Sequence, residues 1–213
     1  CASPLSYYGL VAGPHEFQVR ATNTGGDTDT TTARYEWTVG DAPVPATIGC
    51  GEIITQNTLV QNDLIDCGGF GLIVGANGIT IDLDGHLIDG IGLDAGILNN
   101  GFDSVTIRNG TVTQFAHGIQ LNPGSSLNVI ESMRVESNEE AGILLSDADQ
   151  SGNGNTIRNN TLVANATGIW LAGNTSNTLI RNNALGGNAA DGIRLEFASR
   201  NRIEANEVAR SGG

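Results

Sequence analysis

The chain has 213 residues and a formal net charge of −13, and all ten of its basic residues are arginine. That balance excludes the basic footprint a phosphate backbone requires, so nucleic acid is not an expected partner. No apolar run is long enough for a membrane-spanning helix, and no membrane insertion is expected of this segment.

Residues 1–41 read as strands. Phe17, Val19 and Ala21 alternate with polar residues, as do Tyr35, Trp37 and Val39, and the turn signal Asn23-Thr24-Gly25-Gly26-Asp27 lies between them. Ser6-Tyr7-Tyr8 is expected to add a third short strand. The run Tyr7, Leu10, Gly13, His15, Phe17, Val19, Arg20, Ala21, followed by Trp37-Thr38-Val39, resembles the last strands of bacterial immunoglobulin-like or fibronectin-III-like surface modules. A whole sandwich of that kind takes about seven strands, so the resemblance implies a truncated module. It also implies that Cys1 pairs with a cysteine further upstream, and hence that the sequence is a fragment of a longer protein. Asp41-Ala42-Pro43-Val44-Pro45-Ala46 then reads as a stiff, extended linker, assigned to residues 42–49.

From residue 50 onward the chain repeats itself. Gly71-Leu72-Ile73, Gly96-Ile97-Leu98, Gly118-Ile119-Gln120, Gly142-Ile143-Leu144, Gly168-Ile169-Trp170 and Gly192-Ile193-Arg194 start 22 to 26 residues apart. A second phrase, carried by Ile81, Ile107, Ile130, Ile157, Ile180 and Ile203, recurs every 23 to 27 residues. Such a period means a solenoid, because one repeat cannot bury its apolar face alone. The phrases are short, rich in Ile, Leu and Val, and alternate apolar with polar residues, which predicts strands. The Leu-x-x-Leu-x-Leu spacing of a leucine-rich repeat is absent.

Residues 50–213 resemble the right-handed parallel β-helix repeats of the pectate-lyase-like superfamily. The resemblance implies an all-β, right-handed parallel β-helix of about six to seven coils, preceded by the partial sandwich. That superfamily spans lyases, hydrolases, adhesins and non-enzymes, so it points to fold rather than to activity. The segment Glu204-Ala205-Asn206-Glu207-Val208 reads as one more repeat with no cap after it, and further coils are expected beyond residue 213.

Cys50 and Cys67 bracket the first coil and are expected to form a structural disulfide, which places the chain in an oxidising, extracellular compartment. Aligned on the second phrase, Asp82, Arg108, Glu131, Arg158, Arg181 and Glu204 form an outward column. Four of its five neighbouring pairs are opposite in sign, with Arg158/Arg181 the exception. Asn160, Asn183 and Asn206 recur every 23 residues and are expected to stack as an amide ladder at a turn.

The outward column of the first phrase is Ile73, Leu98, Gln120, Leu144, Trp170 and Arg194. A mostly apolar outward stripe marks a contact surface, with Trp170, Leu98, Leu144 and Arg194 as its binding residues. A lone Trp also stacks on sugar rings. The nearest acid/base candidates are Asp94, His117 and Asp191, with Glu140 and Glu196, and paired carboxylates on adjacent coils would suit glycosidic hydrolysis. No catalytic constellation is expected of them, because acidic residues are common in this chain and family catalytic signatures are missing. No Lys, no Asp-Pro-His-Asp motif and no paired-Asp motif of the polygalacturonase type occurs. For a metal, Asp82 and Asp84 share a strand face beside His86 and would suit Ca²⁺ better than zinc. No calcium-repeat pattern accompanies them, and no cofactor is expected. His86 reads as a turn residue satisfied locally. Sequons begin at Asn109, Asn159, Asn165 and Asn174.

The expected function is a secreted or cell-surface structural and interaction protein, an adhesin-like rod or a filament-forming β-helix, and not an enzyme. Its expected partners are other copies of itself or surface proteins, and glycans in the rival readings. Those rivals are a carbohydrate-active β-helix enzyme (polysaccharide lyase or glycosidase) and a carbohydrate-binding module centred on Trp170.

Overall fold

Each repeated phrase is a strand, and like phrases stack on one another. The computed structural model describes residues 10–148 and 153–209. The chain divides into two units, Cys1–Ala42 and Pro43–Gly213.

In the first unit Gly13–Val19 pairs antiparallel with Ala33–Val39, placing Phe17 opposite Tyr35 and His15 opposite Trp37. Strand alternation gathers these four on one face and leaves Glu16, Arg34 and Glu36 on the other. The Asn23 side chain fixes the connection by accepting from the N–H groups of Gly25 at 2.9 Å and Asp27 at 3.0 Å. Among the described residues this unit is one two-stranded hairpin with no second sheet opposite. The immunoglobulin-like module is therefore not supported. The expected strand at Ser6-Tyr7-Tyr8, and Cys1, lie outside the described residues.

The second unit is a solenoid of about seven turns, its strands among the described residues sorted into three parallel sheets of seven, eight and seven strands. Each full turn gives one strand to each sheet. The first phrase builds a Gly-Ile face, from Glu52–Ile54 to Ile193–Leu195. The second builds a Thr-Ile-Arg face, ending at Arg202–Glu204. A third face runs from Leu64–Cys67 to Glu207–Ala209.

The expected linker is part of this solenoid. Val44–Ala46 is the edge strand of the Thr-Ile-Arg face, paired with Thr58–Val60. Pro45, which has no N–H to give, is tolerated there because an edge strand has only one neighbour to bond. Pro45 is thus part of a sheet edge, not of a spacer.

Three inward columns make the core. Ile97, Ile119 and Ile143 from the first face meet Ile107, Ile130 and Ile157 from the second and Val112, Val135 and Leu162 from the third, all buried. The cross-section is narrow, which explains the glycine of the first phrase. A Cβ on Gly118 would stand 2.3 Å from Val135 Cγ1 and 2.6 Å from the carbonyl oxygen of Gly142 on the next turn. Gly96, Gly142 and Gly168 meet the same obstruction from the turn that follows each.

The corners share one device. A left-handed residue bends the chain, and an inward Asn follows it. At one corner Asn159, Asn182 and Ala205 have φ of 56°, 54° and 52° and precede Asn160, Asn183 and Asn206. At another, Ser137, Ala164 and Gly187 precede Asn138, Asn165 and Asn188. The bend interrupts the main-chain ladder, and the Asn side chain replaces it. Oδ1 of Asn160 accepts from the N–H of Met133 on the previous turn at 2.9 Å, and its Nδ2 donates to the carbonyl of Ile130 at 3.0 Å. The 160/183/206 ladder was legible from its 23-residue spacing. The 138/165/188 ladder was missed, although its two steps are 27 and 23 residues.

Cys50 and Cys67 form a disulfide, their Cα atoms 5.5 Å apart, closing the first turn. Such a bond fits an oxidising compartment.

Candidate functional site

The Gly-Ile face carries an outward column in unbroken register: Ile53, Ile73, Leu98, Gln120, Leu144, Trp170 and Arg194. Alternation turns these side chains away from the core while their neighbours on either side fill it. Trp170, Leu98, Leu144 and Arg194 therefore stand in one line, but Leu144 is only 7% exposed and offers little contact surface of its own. Ile53, 60% exposed, extends the line at its first turn. It escaped the sequence reading because its phrase, Gly51-Glu52-Ile53, has a charged residue where the other phrases have Leu or Ile after the glycine.

Trp170 is half-buried, and the Arg194 guanidinium lies over its ring, Cζ 4.6 Å from the centroid. Arg194 is held in turn by Glu196 at 2.9 Å. One face of the indole is thus occupied by a cation–π contact from the next turn. A sugar ring would have only the remaining surface. The indole N–H is buried without a hydrogen-bond partner among the described residues.

The acid/base candidates do not converge. His117 shares a column with Ala95, Ala141 and Thr167. The register continues from Thr167 to Asp191, so His117 and Asp191 are three rungs, about 14 Å, apart. Asp94 precedes that column by one residue, on the turn before His117, whose N–H donates to the Asp94 carbonyl at 3.0 Å. The polar row expected of Asp94, His117, Glu140 and Asp191 is split between two columns and spread over five turns. One close pair survives: His117 Nε2 lies 3.4 Å from Glu140 Oε2, while Nδ1 is buried and has no partner among the described residues. Burial pushes the imidazole below its ordinary pKa, and the Glu140 carboxylate opposes that shift.

Asp82 and Asp84 serve other ends. Asp82 Oδ2 accepts from Arg108 Nε at 2.8 Å, and Oδ1 accepts from Asn109 Nδ2 and the Asp84 N–H, both at 3.1 Å. A Ca²⁺ ion at Asp82 would have to displace those donors. Asp84 is exposed and left-handed, with φ 49°. His86 is satisfied by the preceding turn rather than by its own: Nδ1 lies 2.9 Å from Asp63 Oδ1. Asp63 also accepts from the Leu87 N–H, and these bonds hold its carboxyl below the ordinary range.

The charge column holds its register and, among the described residues, two of its four expected pairs. Arg108 takes Asp82 and Arg158 takes Glu131, with Nε–Oε2 at 2.7 Å in the second pair. Glu204 pairs with Arg202 of its own strand instead of Arg181.

Among known protein families, residues 95–213 match the right-handed β-helix region. The chain belongs to the right-handed β-helix family. No curated protein and no solved structure matches it. The family match covers the turns from Ala95 onward, where the Gly-Ile phrase and the amide ladders are most regular. The right-handed β-helix is a fold consistent with surface and structural proteins and with carbohydrate-active enzymes.

Proposed function

We propose that the chain is a non-catalytic structural rod of a secreted or cell-surface protein, whose Gly-Ile face meets another protein, in the first instance a second copy. The observation that carries this reading is the outward column, which keeps one register over seven turns and is mainly aliphatic and aromatic. A second rod has the same rung spacing of about 4.8 Å and matches it turn for turn. Two further observations support it: the separation of Asp94 and Asp191, and the disulfide. Sedimentation velocity on the wild type and on Leu98→Asp tests it. The wild type is expected to self-associate with rising concentration and the variant to remain monomeric with an unchanged far-UV spectrum. A wild type that stays monomeric throughout would refute association between copies.

A carbohydrate-binding role is the second reading, favoured by the unpartnered indole N–H of Trp170. Glycan binding that disappears in Trp170→Ala would establish it, and unchanged affinity in that variant would end it.

A further inference from the structure

The fold treats the four sequons, which begin at Asn109, Asn159, Asn165 and Asn174, in different ways. Asn165 is 1% exposed and belongs to an amide ladder. Its Nδ2 donates to the Val135 carbonyl at 3.0 Å and to Asn188 Oδ1 at 3.2 Å. Asn174 and Asn109 are exposed but committed, Nδ2 of the first donating to Asp147 Oδ1 at 2.9 Å and Nδ2 of the second to Asp82 Oδ1 at 3.1 Å. Asn159 is exposed, and its side-chain amide has no hydrogen-bond partner among the described residues.

The local backbone explains this. Asn159 is the left-handed corner residue, φ 56°, between strands Thr156–Arg158 and Thr161–Val163. Asn160 turns inward to its ladder, and alternation then turns Thr161 outward, because Leu162 is buried in the core. Asn159 and Thr161 open on the same side. Both line a surface groove of about 520 Å³, together with Asn109, Thr111, Gly85 and Gly110. The two glycines bring no side chain into it. N-glycosylation modifies the amide of the first sequon residue and needs the hydroxyl of the third, and here both face the same open space. This corner joins the Thr-Ile-Arg face to the third face, so in a three-sided coil it is the corner away from the Gly-Ile face.

We propose that Asn159 is an N-glycosylation site, its glycan seated over this groove, and that Asn165 is not one. The donor is a polyprenyl-linked oligosaccharide phosphate or pyrophosphate. Asn159 Nδ2 bonds to the anomeric carbon of the first sugar as the bond from that carbon to the phosphate oxygen breaks. One Nδ2 proton is released, and the polyprenyl phosphate or pyrophosphate leaves. The Cys50–Cys67 disulfide fits the extracytoplasmic compartment in which this transfer takes place. A sugar on Asn165 Nδ2 would stand where the Val135 carbonyl and Asn188 are, and the ladder could not close around it. The site stands independently of the function proposed for the Gly-Ile face.

Glycopeptide mass spectrometry on the protein purified from its native source tests it. Cleavage after Arg158 and Arg181 leaves Asn159, Asn165 and Asn174 on one peptide, so electron-transfer fragmentation assigns the site. Asn159 is expected to carry a glycan in most copies and Asn165 to carry none. Produced in the same host, Thr161→Ala should lose the glycan at Asn159, while Thr161→Ser keeps it. An unmodified Asn159, or a glycan on Asn165 in the folded protein, would overturn the proposal. So would a Thr161→Ala variant with unchanged occupancy, because the adduct would then not depend on the sequon hydroxyl.

Discussion

Asn183 Oδ1 accepts two hydrogen bonds from Asn160 one turn earlier, from the main-chain N–H at 3.0 Å and from Nδ2 at 3.0 Å. Asn183 passes the arrangement on, donating from its own N–H and Nδ2 to Asn206 Oδ1, both at 2.9 Å. Each amide thus repairs the corner of the turn before it. Asn183→Ala leaves two buried donors of Asn160 without an acceptor. At about 1–3 kcal/mol for each buried unsatisfied group, the loss for two should be on the order of 2–6 kcal/mol. Urea unfolding measures it, with Asn174→Ala, on the exposed turn, as the near-neutral control.

Gly118 presents a different constraint, steric rather than polar. Gly118→Ala drives a Cβ into Val135 and into the Gly142 carbonyl, and backbone cannot move aside as a flexible side chain does. Overpacking of this kind costs about 1–3 kcal/mol. Gly186→Ala, whose Cβ meets only the Ala209 carbonyl oxygen at 3.5 Å, should be nearly silent. Parallel thermal melts of the two variants decide whether the narrow cross-section is the reason for the Gly-Ile phrase.

The first turn depends on its disulfide more than the later turns do, since the ladders from Asn128 onward lie beyond it. Closing a loop of this size is worth about 3 kcal/mol. In a stack of near-neighbour contacts a local loss need not spread. Under reductant, hydrogen exchange should therefore rise over residues 44–74 while 95–195 keeps its protection. Uniform deprotection would mean that the solenoid unfolds as one cooperative block.

His117 supplies a pH dependence. Its folded-state pKa lies below its unfolded value, so between the two the unfolded chain binds more protons and stability rises with pH. The stabilising contribution is complete above the unfolded value of about 6.5 and is lost as pH falls through the folded value. Stability measured from pH 8 to 5 should decline in this window, and His117→Gln should flatten the curve there. Asp63 acts lower: its depressed carboxyl contributes above its ordinary value and loses that contribution only in strong acid.

What the sequence disclosed was whatever repeats. The Gly71-Leu72 phrase, the five Gly-Ile phrases after it and the Ile column gave the strands, the stacking and the direction in which Leu98, Leu144 and Trp170 point, because period-2 alternation leaves a strand no choice of face. What remained hidden depends on partners chosen across turns. Glu204 selects Arg202 over Arg181, two surface cations equally near in sequence logic. Asp94 and His117 differ by one position in register, which sends them to different columns. Pro45 misled for a related reason: a proline in an edge strand looks like a proline in a spacer until its pairing partner is known.

The most direct test of the central claim is hydroxyl-radical footprinting read by mass spectrometry as protein concentration is raised. Oxidation of Trp170 and Leu98 is expected to fall as copies associate, while Leu127, exposed at a corner, keeps its rate. Association that protects a different face, or oxidation of Trp170 and Leu98 that ignores concentration, would contradict it.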